Sequence, residues 1–111
     1  MNGHPREIRK YVTLQGNCPF DSWFEKLNTQ TQVRIDVPLD RVRLGHFGDA
    51  EPVGQGVYEL RFHFGPGYRV YYGLDGREVV LLLLGGDKKS QKRDIKKAQQ
   101  FWKDYQSERN I

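Results

Sequence analysis

A single cysteine, Cys18, is all the thiol this chain contains. It cannot close an internal disulfide and gives a metal site too few thiolates, so a disulfide-stapled secreted scaffold is excluded. The longest apolar run, residues 79–84, falls far short of the ~20 residues that span a bilayer. Met1-Asn2-Gly3-His4-Pro5 holds no apolar core of a signal peptide, so a cytoplasmic protein without a membrane partner is expected. His4, His46 and His63 show no metal-ligand spacing with one another or with Cys18, and neither a metal nor another cofactor is expected. No Gly-rich loop runs into Lys-Ser/Thr, because Gly65-Pro66-Gly67 separates two strands and opens no helix. No nucleophile–base pair is legible, and no repeat or low-complexity linker interrupts the chain.

What is present is a compactly organised 111 residues, 37% hydrophobic and 13% aromatic, too aromatic for a disordered chain and the right length for one domain over residues 1–111. The net charge of +4 is not spread evenly. Residues 1–84 carry ten Lys/Arg and ten Asp/Glu, whereas residues 85–111 carry eight and four. Within the second segment Lys88, Lys89, Lys92, Arg93, Lys96 and Lys97 face one acid, Asp94. Such a block points to a polyanionic partner or to a solvated helix face, and charge alone does not choose.

Hydrophobic periodicity gives the elements. Residues 7–14 read as a strand with Ile8 and Val12 inward, and Gln15-Gly16-Asn17 as a turn. Pro19 suits the first turn of a helix, and Phe20, Trp23, Phe24 and Leu27 follow at helical spacing. A second helix over about residues 31–44 places Ile35, Leu39 and Val42 on one face, with a kink or early break expected at Pro38. The two would form a helical hairpin, followed by a glycine-rich loop to Gly56. The period then becomes two: Tyr58, Leu60, Phe62 and Phe64 alternate with Glu59, Arg61 and His63.

A three-residue turn at residues 65–67 pairs Phe64 with Tyr68, Phe62 with Val70 and Leu60 with Tyr72, which keeps one face apolar. The other face then pairs His63 with Arg69 and Arg61 with Tyr71. Asp75-Gly76 turns the chain into an apolar strand, expected to be central and to end at Gly85-Gly86. A last helix over about residues 90–105 buries Ile95, Ala98, Trp102 and Tyr105 and turns its lysines outward.

The polar hairpin face holds Arg61, His63, Arg69 and Tyr71. Two forked guanidiniums on rigid strands can clamp a phosphate and stabilise charge developing on it. Tyr71 and His63 can stack on bases. The alternative is that Arg61 and Arg69 pair with Glu59 and other acids on a solvated sheet face, and that His63 is a surface residue.

The element order, with "FDSWFEKL", "DRVRLGHFGD", "GVYELRFHFGPGYRVYY" and "LLLLGGDKKSQKRDIKKA", resembles the RelE/ParE toxin superfamily over about residues 7–105, nearest its HigB-like, phage-derived addiction-module killer proteins. The resemblance implies an α+β fold: a small, twisted, mainly antiparallel sheet packed by an N-terminal helical hairpin and a C-terminal helix. It also implies the toxin of a type II toxin–antitoxin pair, a ribosome-dependent mRNA endonuclease whose 2′-hydroxyl transesterification needs no metal. The implied partners are a cognate helix-turn-helix antitoxin, the ribosome and mRNA, with operator DNA reached only through the antitoxin complex. A ParE-like DNA gyrase inhibitor and a non-catalytic RNA-binding module are the alternatives.

Under this resemblance Arg61 and Arg69 bind the scissile phosphate, and Lys88, Lys89 and Lys92 neutralise phosphate or dock ribosomal RNA. Arg93, Lys96 and Lys97 extend the RNA-binding surface. Many such ribonucleases place a Tyr or His near the C-terminus to move a proton. Here that stretch reads Gln91-Lys92-Arg93-Asp94, so His63, Tyr71 or a lysine such as Lys89 would have to serve. Pro38 is a second departure, since the helix is usually uninterrupted in similar sequences.

Overall fold

A computed structural model describes residues 5–109. Met1–His4, on which the reading of the leader rests, lie outside the described residues. The elements are β1 (Glu7–Lys10), α1 (Pro19–Phe24), α2 (Thr29–Arg43), β2 (Ala50–Gly54), β3 (Val57–Arg61), β4 (Arg69–Asp75), β5 (Val79–Gly86) and α3 (Gln91–Arg109). The strands form one sheet in the order β1-β5-β4-β3-β2, antiparallel except for the β1–β5 pair. This is an α+β fold with helices on both faces of the sheet. No described helix is long and apolar enough to cross a membrane.

Strand alternation divides the core in two. On one face Leu60, Phe62, Val70, Tyr72, Val80 and Leu82 pack against Phe20 of α1 and Ile35, Leu39 and Val42 of α2. On the other, Val57, Tyr71, Leu81 and Leu83 pack against Ala98 and Trp102 of α3. β5 is buried along its whole length, as a central strand covered on both faces must be.

Of the kink or early break expected at Pro38, the break does not occur, and helix α2 runs unbroken through it. A proline inside a helix costs ~3 kcal/mol. Ile35 before it and Leu39 and Val42 after it are all buried, each contributing about 1.5–3 kcal/mol, so packing on both sides of the proline outweighs that cost. The helix starts at Asn28, whose side chain accepts from the Thr31 N–H at 2.8 Å. Asn28→Ala is expected to cost about 1 kcal/mol in urea unfolding, because it orphans one first-turn donor.

Four other expectations are corrected. β1 ends at Lys10, leaving Val12 51% exposed while Tyr11 is buried among the residues under α3. A fifth strand, β2, occupies part of what read as a glycine-rich loop. β5 runs two residues past Leu84 and ends at Gly86, so both glycines belong to it, and both are sites of close approach. A Cβ on Gly85 would meet the Trp23 ring, and one on Gly86 would meet the Asp94 carboxylate on the opposite face. Finally, the β3–β4 register pairs Leu60 with Val70, Glu59 with Tyr71 and Arg61 with Arg69. That is two residues from the expected pairing, with Phe62 N–H bonded to the Tyr68 carbonyl at 2.9 Å and residues 63–67 forming the loop. A two-residue shift leaves every side chain on its expected face.

Candidate nucleic-acid interface

The hairpin face carrying Arg61, Arg69 and Tyr71 is not open. α3 lies over it, and Tyr71 is 0% exposed. Burial, and next the Glu59 carboxylate, push the Tyr71 phenol well above its ordinary pKa. Its hydroxyl has no hydrogen-bond partner among the described residues. Tyr71 therefore cannot stack on a base or exchange a proton with a bound nucleotide, and its candidate catalytic role is withdrawn.

Beside it Glu59 is 2% exposed and accepts a hydrogen bond from Gln91 Nε2 at 2.9 Å. The Arg69 Nε lies 3.4 Å from Glu59 Oε2, and Arg69 Nη1 donates to the Gly67 carbonyl at 2.8 Å. Arg69 is thus held by a buried carboxylate and a turn carbonyl, with its side chain 11% exposed.

Its register partner Arg61 is more open, at 31%. Arg61 Nη2 reaches Asp49 Oδ1 at 2.9 Å and Glu51 Oε2 at 2.7 Å. The other Asp49 oxygen lies 2.5 Å from Nε2 of His63, whose side chain is 75% exposed. Asp49 can therefore orient the imidazole in the way a carboxylate orients a catalytic histidine. Both arginines pair with acids, as the structural alternative required.

Hydrogen bonds from Arg61 and then His63 hold the Asp49 carboxyl below its ordinary value. A depressed carboxylate contributes stability above its unfolded pKa, near ~4, and loses that contribution as pH falls through the lower folded value. Replacing Asp49 by asparagine is therefore expected to lower stability at about pH 7. Below about pH 4 the gap to the parent should narrow, as read by urea midpoints under the two conditions.

The basic block emerges on one surface. Asp87 Oδ1 accepts from the N–H groups of Lys89 and Ser90 at 2.9 and 3.2 Å, which fixes the turn before α3. The Lys88 N–H donates to the Pro66 carbonyl at 3.3 Å, so the hairpin tip and this turn are joined. Ser90 Oγ donates to the buried Asp94 at 2.5 Å. Lys88, Lys89, Lys92, Arg93, Lys96 and Lys97 are all exposed. Among the described residues only Arg93 has an acidic neighbour, Asp94 at 3.9 Å. Asp94, the acid within this block in the sequence, is buried, and among the described residues none of the five lysine side chains is ion-paired.

Arg61, Arg69 and His63 lie at the end of the β3–β4 hairpin, and the Lys88 backbone is bonded to its tip. Arg61 and His63 turn to Asp49, however, while Arg69 turns to Glu59 and the Gly67 carbonyl. The remaining lysines run from the turn along α3. The carboxylates Asp49 and Glu51 and the positioning contact from Gln91 were not singled out in the sequence. The signal available for Gln91 is its place on the inner face of α3, where a polar residue needs a partner.

This arrangement accompanies a match to a known family. A family model described as phage derived protein Gp49-like (DUF891) matches residues 22–103. The chain belongs to the Gp49-like family. It is a family associated with toxins of toxin–antitoxin pairs. The matched span of this Gp49-like chain runs from Ser22 of α1 into α3, and so includes the hairpin and the lysine face. An uncharacterized protein of Haemophilus influenzae is 41% identical over 88 residues, covering 78% of this chain and 89% of that protein.

Proposed function

We propose that this Gp49-like protein is the toxin of a type II toxin–antitoxin pair and cuts mRNA on the ribosome. The observation that carries the reading is the hairpin end, where two register-paired arginines and an Asp49-bound histidine flank a tip that is bonded to the Lys88 backbone at the start of the lysine face. In the proposed reaction the ribose 2′-hydroxyl attacks the adjacent phosphorus, a P–O bond forms, and the bond to the 5′-oxygen breaks. The products are a 2′,3′-cyclic phosphate and a free 5′-hydroxyl. His63 takes the 2′-hydroxyl proton or returns one to the leaving oxygen, with Asp49 fixing its ring. Arg69 and Arg61 stabilise the extra charge on the phosphorane oxygens, and Lys89 adds to that field. Lys88, Lys92, Arg93, Lys96 and Lys97 dock ribosomal RNA and mRNA through phosphate contacts. The target makes the cytoplasm the site of action, and a helix-turn-helix antitoxin silences the protein and carries the complex to operator DNA.

In a translation extract the protein is expected to produce codon-phased cuts in mRNA, mapped by primer extension, only when ribosomes are present. Uncut mRNA would refute the reading. The saturation of Arg61 and Arg69 by Glu59, Asp49 and Glu51 favours a second reading, a gyrase inhibitor that cleaves nothing. Its signature is inhibited supercoiling with intact mRNA. RNA binding without cleavage or growth arrest would leave a non-catalytic binding module.

A further inference from the structure

A groove of about 440 Å³ lies between the loop after β1 and the C-terminal half of α3. Phe101, Asp104 and Glu108 line it from the helix, at i, i+3 and i+7 on one stripe, and Tyr11 and Leu14 line it from the loop. The Tyr11 and Phe101 rings lie 5.3 Å apart between centroids. On a chain of net charge +4, the charged side chains lining this groove are both acids. Asp104 accepts a hydrogen bond from Gln100 Nε2 at 2.8 Å, and Glu108 has no hydrogen-bond or ion-pair partner among the described residues. Like charges one turn apart on a helix repel, and a cation between them would relieve that repulsion.

Tyr11 points to the same need independently. It is 3% exposed and lines the groove, yet its hydroxyl has no hydrogen-bond partner among the described residues. Burial, and next the Glu108 and Asp104 carboxylates, raise its phenol above the ordinary pKa, so both acids act on that hydroxyl. A polar group left unpaired on a nearly buried side chain calls for a partner from the occupant. The loop adds an apolar contact. Thr13 N–H donates to the Asn17 carbonyl at 2.8 Å, Gly16 N–H to the Thr13 carbonyl at 2.9 Å, and Asn17 N–H to the Thr13 hydroxyl at 3.1 Å. This tight turn holds Leu14 at its tip, 82% exposed, and Val12 before it is 51% exposed.

These groups select the occupant. Two carboxylates repel phosphate, so nucleic acid does not fit. They are too few oxygens for a divalent metal, and no third metal-ligating side chain joins them among the described residues. A guanidinium uses everything present: its face lies on an aromatic ring, its fork binds carboxylate, and an N–H donates to the phenol oxygen. A free polyamine would engage the acids but leave Leu14 uncovered, whereas a protein segment reaches both.

We propose that this groove receives an arginine side chain from a basic segment of a partner protein. The guanidinium lies against the Phe101 ring and between the Asp104 and Glu108 carboxylates, and an apolar residue beside the arginine covers Leu14. The groove shares no residue with the hairpin end or the lysine face, so the proposal stands whether or not the protein cuts RNA.

Phage-displayed random peptides of about 12 residues, ~40 Å when extended, test it on the full chain. Enriched peptides are expected to carry an arginine with an apolar neighbour. Their affinity, read by fluorescence anisotropy, should fall about tenfold or more, equivalent to 1.4 kcal/mol, when that arginine becomes citrulline, its neutral isostere. The same loss is expected in Asp104→Asn/Glu108→Gln, and a smaller one in Leu14→Ser at the exposed tip. Val37→Glu, on the outer face of α2, should change nothing, with circular dichroism confirming that every variant folds. No enrichment, peptides without arginine, or binding indifferent to both groove variants would each overturn the proposal. So would full displacement of the peptide by equimolar spermidine, which would make the groove a polyamine site. A dimer in gel filtration that dissociates in Asp104→Asn/Glu108→Gln would overturn it too, by making the occupant a second copy of the chain.

Discussion

Alanine at Arg69 is expected to reduce RNA cleavage by about 10²–10³-fold, the usual consequence of removing one transition-state donor. The same change also disturbs the fold. Arg69 is the cation nearest Glu59, whose side chain is 3% exposed, and removing one partner of a buried pair costs about 3–5 kcal/mol. A domain with about 5–15 kcal/mol of total stability would remain folded but weakened, so lost activity alone would be ambiguous.

The double variant Arg69→Ala/Glu59→Gln separates the two effects. A neutral amide at position 59 keeps a partner for Gln91, which now donates to Glu59 at 2.9 Å, and leaves no buried charge. Thermal stability should recover toward the parent while cleavage stays lost. Cleavage that returns with stability would make Arg69 a structural residue and remove it from the proposed chemistry.

The facing of side chains was legible in the sequence because strand alternation fixes it, and it survived a register error of two residues. Leu60, Phe62, Val70 and Tyr72 all lie on the expected core face. What the pattern could not say is what covers the other face. Glu59, Arg61, Arg69 and Tyr71 read as a solvated row, yet Gln91 and Arg69 satisfy Glu59 beneath α3. A buried ion pair and an exposed one have the same alternation. β2 was hidden for a related reason: Pro52, Gly54 and the exposed Glu51 suit an edge strand, whose composition resembles a loop. Of the candidate site, the outward facing of Lys92, Arg93, Lys96 and Lys97 was legible from helical spacing, whereas Lys88 and Lys89 lie in the turn before α3. The partnership of Asp49 with His63 spans fourteen positions and depends on β2 pairing with β3, so no local pattern carried it.

An equally large expected loss of stability lies at the contact between α3 and the sheet. Trp102, 5% exposed, stands on Gly73 of β4 and is stacked on Tyr105 at 5.5 Å between centroids. A Cβ at Gly73 would run into the indole ring. Glycine within a strand is otherwise unfavourable by about 0.5–1 kcal/mol relative to alanine, so its place here is explained by the ring it admits. Trp102→Ala is expected to cost about 3–5 kcal/mol through lost burial and a cavity, and Gly73→Ala about 1–3 kcal/mol through overpacking.

The decisive measurement is their coupling. With Trp102→Leu in place, the overlap is relieved and Gly73→Ala should become neutral or slightly stabilising. That gives a coupling of about 1–3 kcal/mol in urea unfolding. Equal effects of Gly73→Ala in both backgrounds would show that the glycine is not there for the tryptophan. The consequence reaches the proposed site, because α3 is tied to the sheet by Gln91–Glu59 at its start and by Tyr105–Asp75, 2.6 Å, near its end. Between those ties the indole sets how closely the helix seats. A variant that loosens Trp102 while remaining folded should weaken RNA binding without any lysine being changed, since the lysine face and the hairpin end would no longer be held in one arrangement.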